Sequence, residues 1–171
     1  SVSSAGDFNG DGKGDVIVGT RFDDNNSETD SGGAFIFFGG ITGTKTADAD
    51  ADVILNGQSA GDNFGRSVAS AGDFNGDGKS DVVIGSPSDT GNASSSGRAF
   101  IFFGGITGSK TADADADVIL NGQSSQDQFG RDVASAGDFN GDGKSDVIIG
   151  ARNDDVNSTN SGSAFIFFGG I

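Results

Sequence analysis

One eleven-residue segment occurs three times almost unchanged, beginning at Ala5, Ala71 and Ala136, so the chain repeats at intervals of 66 and 65 residues. That period constrains the fold more than any other feature. Each repeat must be a small unit that cannot bury its apolar surface alone and stacks on its neighbours. Every copy also carries Asp-x-Asn-x-Asp-Gly-x-x-Asp, a run of oxygen-bearing side chains around a glycine turn.

In the first copy Asp7, Asn9 and Asp11 alternate, so a curling backbone can aim all three at one centre. Gly10 and Gly12 supply the turned conformations that the curl needs. The carbonyl of Lys13 falls at the seventh position, and Asp15 closes the cage at the ninth. The counterparts are Asp73, Asn75, Asp77, the Lys79 carbonyl and Asp81, then Asp138, Asn140, Asp142, the Lys144 carbonyl and Asp146. Hard oxygen ligands with several carboxylates suit calcium, and the chain has no Cys or His for a softer metal. Magnesium would demand a stricter octahedron. The expectation is three calcium ions per chain; the competing reading is a metal-free Asx/Gly turn.

The loop is not an EF-hand. That motif needs a bidentate Glu at position twelve leading into a helix, and here the position holds Val18, Ile84 or Ile149. The residues after the closing Asp are short β-branched runs, good buried strands. Further runs follow in each repeat: Ala-Phe-Ile-Phe-Phe-Gly-Gly, then, in the first two repeats, Asp-Val-Ile-Leu-Asn-Gly. Gly, Ser, Asn and Asp separate them, and no sustained helical period occurs, so the class is all-β. Phe35 and Phe37 face opposite to Ala34, Ile36 and Phe38. An apolar strand with two apolar faces belongs between two neighbours rather than against water.

These residues resemble the FG-GAP repeats of integrin α-subunit β-propellers and their bacterial relatives. The resemblance rests on Phe64-Gly65 and Phe129-Gly130, the Ser-Val-Ala-Ser-Ala-Gly-Asp run, the calcium loop and Gly85-Ser86-Pro87. Phe-Gly is missing before the first copy, and the Gly-Ala-Pro element reads Gly19-Thr20-Arg21 and Gly150-Ala151-Arg152 elsewhere. The resemblance implies tandem four-stranded antiparallel β-propeller-type blades with the metal in the turn between the first two strands. On this reading the blades are residues 1–66, 67–131 and 132–171, the last without its outer strand.

Propellers close with about four to eight blades, so fewer than three repeats form an incomplete ring. We expect either a piece of a longer repeat protein or a protomer whose open edges are completed by copies of the same repeat. The formal charge of −15 disfavours nucleic acid and anionic membranes as partners, and no stretch suits membrane insertion. Calcium loops of modest ligand number favour an extracellular or cell-surface setting. Without His, Cys or Tyr the usual nucleophile–base pairs cannot be built, so no enzyme is expected.

Two minor features remain. Ala-Asp-Ala-Asp-Ala-Asp-Val occurs at residues 47–53 and 112–118, which would place Asp48, Asp50 and Asp52 on one face of an extended segment. The plainer reading is a charged face that guards an outer strand; the other is a second calcium site. Asn25, Asn92 and Asn157 open Asn-x-Ser/Thr triplets, candidate glycosylation acceptors. Two functions stay open: a structural repeat of a surface assembly or filament, and an adhesion propeller binding a protein or glycan through its variable loops.

Overall fold

The structure is a computed structural model that describes residues 1–24, 27–155 and 158–170. Among the described residues the first repeat forms β1 (Val2–Gly6), β2 (Asp15–Thr20), β3 (Gly33–Phe37), a one-turn helix α1 (Ala47–Asp50) and β4 (Val53–Asn56). The second forms β5 (Ser67–Gly72), β6 (Asp81–Ser86), β7 (Arg98–Phe102), β8 (Gly108–Thr111), a one-turn helix α2 (Ala112–Asp115) and β9 (Val118–Asn121). The third forms β10 (Phe129–Gly137), β11 (Asp146–Ala151) and β12 (Ser163–Phe167). The three sheets run β1-β2-β3-β4-β8, β5-β6-β7-β9 and β10-β11-β12, and they do not close into a ring. Among the described residues every pairing of named strands is antiparallel except β4 with β8, which is parallel, and isolated parallel bridges join Gly32 to Phe64 and Gly97 to Phe129.

Each first strand ends in the same bulge. The register slips between Ser4 and Gly6, Ser70 and Gly72, and Ser135 and Gly137. In each case the glycine N–H donates to the serine hydroxyl, at 3.1, 3.1 and 3.2 Å. The glycines have φ near +70°, which an L side chain rarely adopts. The Ser-Ala-Gly-Asp run is thus the device that turns a strand into the loop.

The core lies between the sheets. Ile17, Ile36 and Leu55 of the first sheet and Phe8 of its Asp-rich loop meet Ile84, Phe100 and Phe102 of the second sheet and Phe64 of the Phe-Gly turn. The opposite face of the second sheet presents Phe74, Val83 and Ile101 to Phe129, Val133 and Ile149 of the third. All six residues of β6 are buried, as a strand between two neighbours must be. The Phe-Gly turn closes each junction: a Cβ on Gly85 would collide with the carbonyl of Gly130, and one on Gly19 with that of Gly65. At Gly150, where no further sheet follows among the described residues, the nearest atom is 3.7 Å away.

The Ala-Asp repeats depart from expectation. They are helical turns rather than extended segments, so Asp48, Asp50 and Asp52 do not share a strand face. Alanine favours helix, and acids in the first turn complement its dipole. Asp50 accepts the Thr46 N–H at 2.7 Å, and Asp115 repeats this with Thr111 at 2.8 Å. Asp52 and Asp117 accept the N–H of Phe38 and Phe103, fastening the turn to the end of the third strand. One strand was not anticipated: β8, drawn from Ile-Thr-Gly-Ser-Lys-Thr.

Candidate metal centres

The three Asp-rich loops join the first and second strands of each sheet and share one hydrogen-bond pattern. Asp7 Oδ2 accepts the Gly12 N–H at 3.0 Å, Asn9 Oδ1 that of Asp11 at 2.8 Å, and Asp11 Oδ1 that of Lys13 at 2.9 Å. Asp73, Asn75 and Asp77 repeat these contacts, as do Asp138, Asn140 and Asp142. Positive φ at Gly10 and Gly12 makes the curl. The structure therefore brings the first three predicted ligands of each loop around one turn.

The closing aspartates have a further role that spacing alone did not reveal. Asp15 is buried; its Oδ2 accepts the N–H groups of Phe8 and Asn9, and its Oδ1 that of Gly39 at 2.7 Å. Asp81 does the same with Phe74, Asn75 and Gly104, and Asp146 with Phe139, Asn140 and Gly169. Each pins its loop to the end of the third strand. Burial pushes the Asp81 carboxyl up to about 6, although its three amide donors pull the other way. The exposed loop acids move down instead: Asp11 through the Lys13 side chain, Asp77 through the Lys79 N–H, Asp142 through the Asn140 side chain.

Among the described residues no three acidic side chains converge as they would around an ion. The fit to a cation rests on two other observations. The donor set of each loop is all hard oxygen, and in the first loop Asp7 Oδ1 is buried without a hydrogen-bond partner, whereas Asp73 Oδ1 and Asp138 Oδ1 accept the N–H groups of Gly76 and Gly141. An inward carboxylate oxygen without a donor is costly unless a cation meets it. The chemistry of these donors suits calcium, which Asp7, Asn9, Asp11, the Lys13 carbonyl and Asp15 would hold while sharing their oxygens with the amide donors.

Neighbouring loops touch. The Ser80 N–H donates to the Asp7 carbonyl at 3.0 Å, and Ser145 N–H to that of Asp73 at 3.0 Å. Phe8 and Phe74 are 0% and 2% exposed beneath the next repeat, whereas Phe139 is 65% exposed.

Sequence reasoning missed a second acidic set. Asp62 and Asp127, just ahead of each Phe-Gly, are buried and accept the N–H of Ser59 and Ser124. Asp89 is buried beside Arg98, whose Nε lies 2.9 Å from it while Nη1 lies 2.7 Å from Asp113. Burial first, then the charge of Asp89, raises the Asp62 carboxyl to about 6. The recurrence of Asp two residues before Phe-Gly was the available signal. Of the candidate glycosylation residues, Asn92 is exposed and donates to the Gly122 carbonyl at 3.3 Å. Asn25 and Asn157 lie outside the described residues.

Sheets stacked in tandem, each with an Asp-rich loop between its first two strands, define a propeller-blade repeat protein. The profile of the FG-GAP repeat matches residues 1–37, 64–102 and 129–167, and the chain belongs to that family. It is 32% identical over 156 residues to integrin alpha-5 of Xenopus laevis, covering 86% of this chain and 14% of that protein. Integrin alpha-PS5 of Drosophila melanogaster is 29% identical over 150 residues, again 86% of this chain and 14% of the relative. Phosphatidylinositol-glycan-specific phospholipase D of Bos taurus is 29% identical over 153 residues, covering 86% and 18% respectively. The chain thus spans less than one-fifth of the length of these relatives.

Proposed function

We propose that the chain is a calcium-binding, non-catalytic, extracellular FG-GAP module whose role is structural, as part of an assembly built from repeated blades. The observation that carries this reading is the likeness of its two outer faces to its buried ones. Val16 on the first sheet is 47% exposed, while its counterpart Val82 is fully buried at the first junction. Ile166 on the third sheet is 36% exposed, while Ile36 and Ile101 are fully buried at theirs. Faces that copy the two sides of a working junction suit further copies of the same repeat, in a longer chain or in neighbouring molecules. Bound calcium would set the shape of the loops that touch at each junction. The extracellular setting is supported by loop chemistry suited to millimolar calcium and by the likeness to integrin alpha subunits. Among the described residues no helix is long and apolar enough to cross a membrane.

A second reading, adhesion to a protein or glycan, is favoured by the loops between second and third strands. They differ most between repeats and lie at the end of the sheets opposite the calcium loops. Calcium titration with electron microscopy tests both. Three ions per chain with calcium-dependent rods or rings supports the structural role; discrete single chains at high concentration removes it and leaves adhesion.

A further inference from the structure

The segment Ile-Thr-Gly-Thr-Lys-Thr at residues 41–46 recurs as Ile-Thr-Gly-Ser-Lys-Thr at residues 106–111, yet the two copies are used differently. In the second copy the last four residues form β8, which crosses to the preceding sheet and runs parallel to β4. The register is Val53 with Gly108, Ile54 with Ser109, Leu55 with Lys110 and Asn56 with Thr111. Asn56 Nδ2 donates to Ser109 Oγ at 2.9 Å and to the Lys110 carbonyl at 3.1 Å, and the Gly108 N–H reaches the Asp52 carbonyl at 3.0 Å. Ala112, the first residue of α2, is then buried in the cluster that holds Val53 and Leu55.

In the first copy residues 43–46 pair with no strand among the described residues, but both ends of the segment already have the backbone conformation found in β8. Gly43 has φ +76° against +73° for Gly108. Thr46 has φ −106° and ψ 129°, against −116° and 135° for Thr111, and each is followed by a single helical turn. Ala47 is only partly buried where Ala112 is fully so. Conversely, β9 repeats the Val-Ile-Leu-Asn of β4, but its sheet ends there among the described residues. Val53 and Leu55 are fully buried in β4, whereas no residue of β9 is, and Asn121 is exposed. The same strand has a closed outer edge in one blade and an open one in the next.

We propose that β9 is an acceptor for a fifth, parallel strand of sequence Ile-Thr-Gly-Thr/Ser-Lys-Thr from another repeat, and that residues 43–46 are such a donor strand held ready. The expected register sets Val118 beside the glycine and Asn121 beside the final threonine, with Asn121 Nδ2 on the hydroxyl two residues earlier. The main chain gives the affinity, as in other strand additions to a sheet edge, and the Asn side chain adds a contact to it. The proposal deepens the reading that the partner is another copy of the repeat and names the edge that links them.

The test exploits the absence of cysteine. Asn121→Cys chain is equilibrated in a thiol–disulfide buffer with a peptide of residues 41–51 carrying Thr46→Cys, and with a scrambled peptide holding its cysteine at the same position. The proposal expects at least tenfold greater capture of the native peptide, and loss of that preference when the cysteine is moved to exposed Ser124. A chain with Asn56→Cys and Thr111→Cys should close its own disulfide, which shows that the geometry allows the bond. Equal capture of native and scrambled peptides would overturn the proposal. Sedimentation of the unaltered chain tests stacking of the faces separately, so association without peptide preference refutes the strand addition alone.

Discussion

Ser80 clips onto Asp7 from both sides of its own residue: its backbone N–H donates to the Asp7 carbonyl at 3.0 Å, and its hydroxyl accepts the Asp7 N–H at 3.2 Å. The residue that opens one candidate ion site is therefore fixed by the following repeat. Replacing Ser80 by Ala keeps the first bond and strands the Asp7 N–H. The expected loss is about 1–2 kcal/mol in urea unfolding. A change below measurement error would show that the clip adds no stability.

Calcium should act on stability through the same loops. For a dissociation constant of ~0.1 mM, ~1 mM calcium stabilises by about 1.4 kcal/mol per site, and three independent sites give roughly 4 kcal/mol. That is a large share of the stability of an ordinary domain, about 5–15 kcal/mol. Excess chelator should lower the melting temperature by many degrees, and magnesium should not restore it. An identical melt with and without chelator would mean that amide hydrogen bonds alone hold the loops.

Phe74 and Phe139 occupy the same repeat position in different surroundings. Phe74→Ala should destabilise by about 3–5 kcal/mol, because it empties a site beneath the third sheet. Phe139→Ala should cost under about 0.5 kcal/mol in the dilute chain and should weaken any self-association. Equal losses in dilute solution would contradict the difference in burial.

Asp62 gives the fold a pH dependence of known sign. With its carboxyl raised to about 6 against about 3.9 in the unfolded chain, the folded state holds the proton more tightly. This contribution to stability is full below pH 4 and is lost as pH rises through about 6. Asp62→Asn can still accept the Ser59 N–H, so it should be more stable than the parent at pH 7.5, and the gap should shrink toward pH 4. Denaturant titrations at several pH values check this; a constant gap, or a less stable variant at pH 7.5, would count against it.

The all-β class, the strand runs and the curl of the Asp-rich loops were legible because each rests on local chemistry repeated in register. Phe35 to Phe38 announced a strand between neighbours by its apolar faces, and β3 is buried throughout. The Ala-Asp segments were not legible from alternation alone, since one turn of helix is too short to show a period and alanine decided the outcome. β8 was hidden for another reason. Gly-Ser-Lys-Thr has no strand pattern, and it becomes one only because the edge of β4 is beside it. The second duty of Asp15, Asp81 and Asp146 was also hidden, because its partners Gly39, Gly104 and Gly169 are more than twenty residues away.

The path of β8 also sets an order of events during synthesis. The first sheet has all four of its own strands once Asn56 has emerged, but its outer edge stays open until Thr111 follows. At about 5–20 residues per second those 55 residues take roughly 3–11 s. During that interval the nascent chain shows a bare strand edge next to an incomplete neighbour. The first sheet is therefore sealed by the repeat made after it.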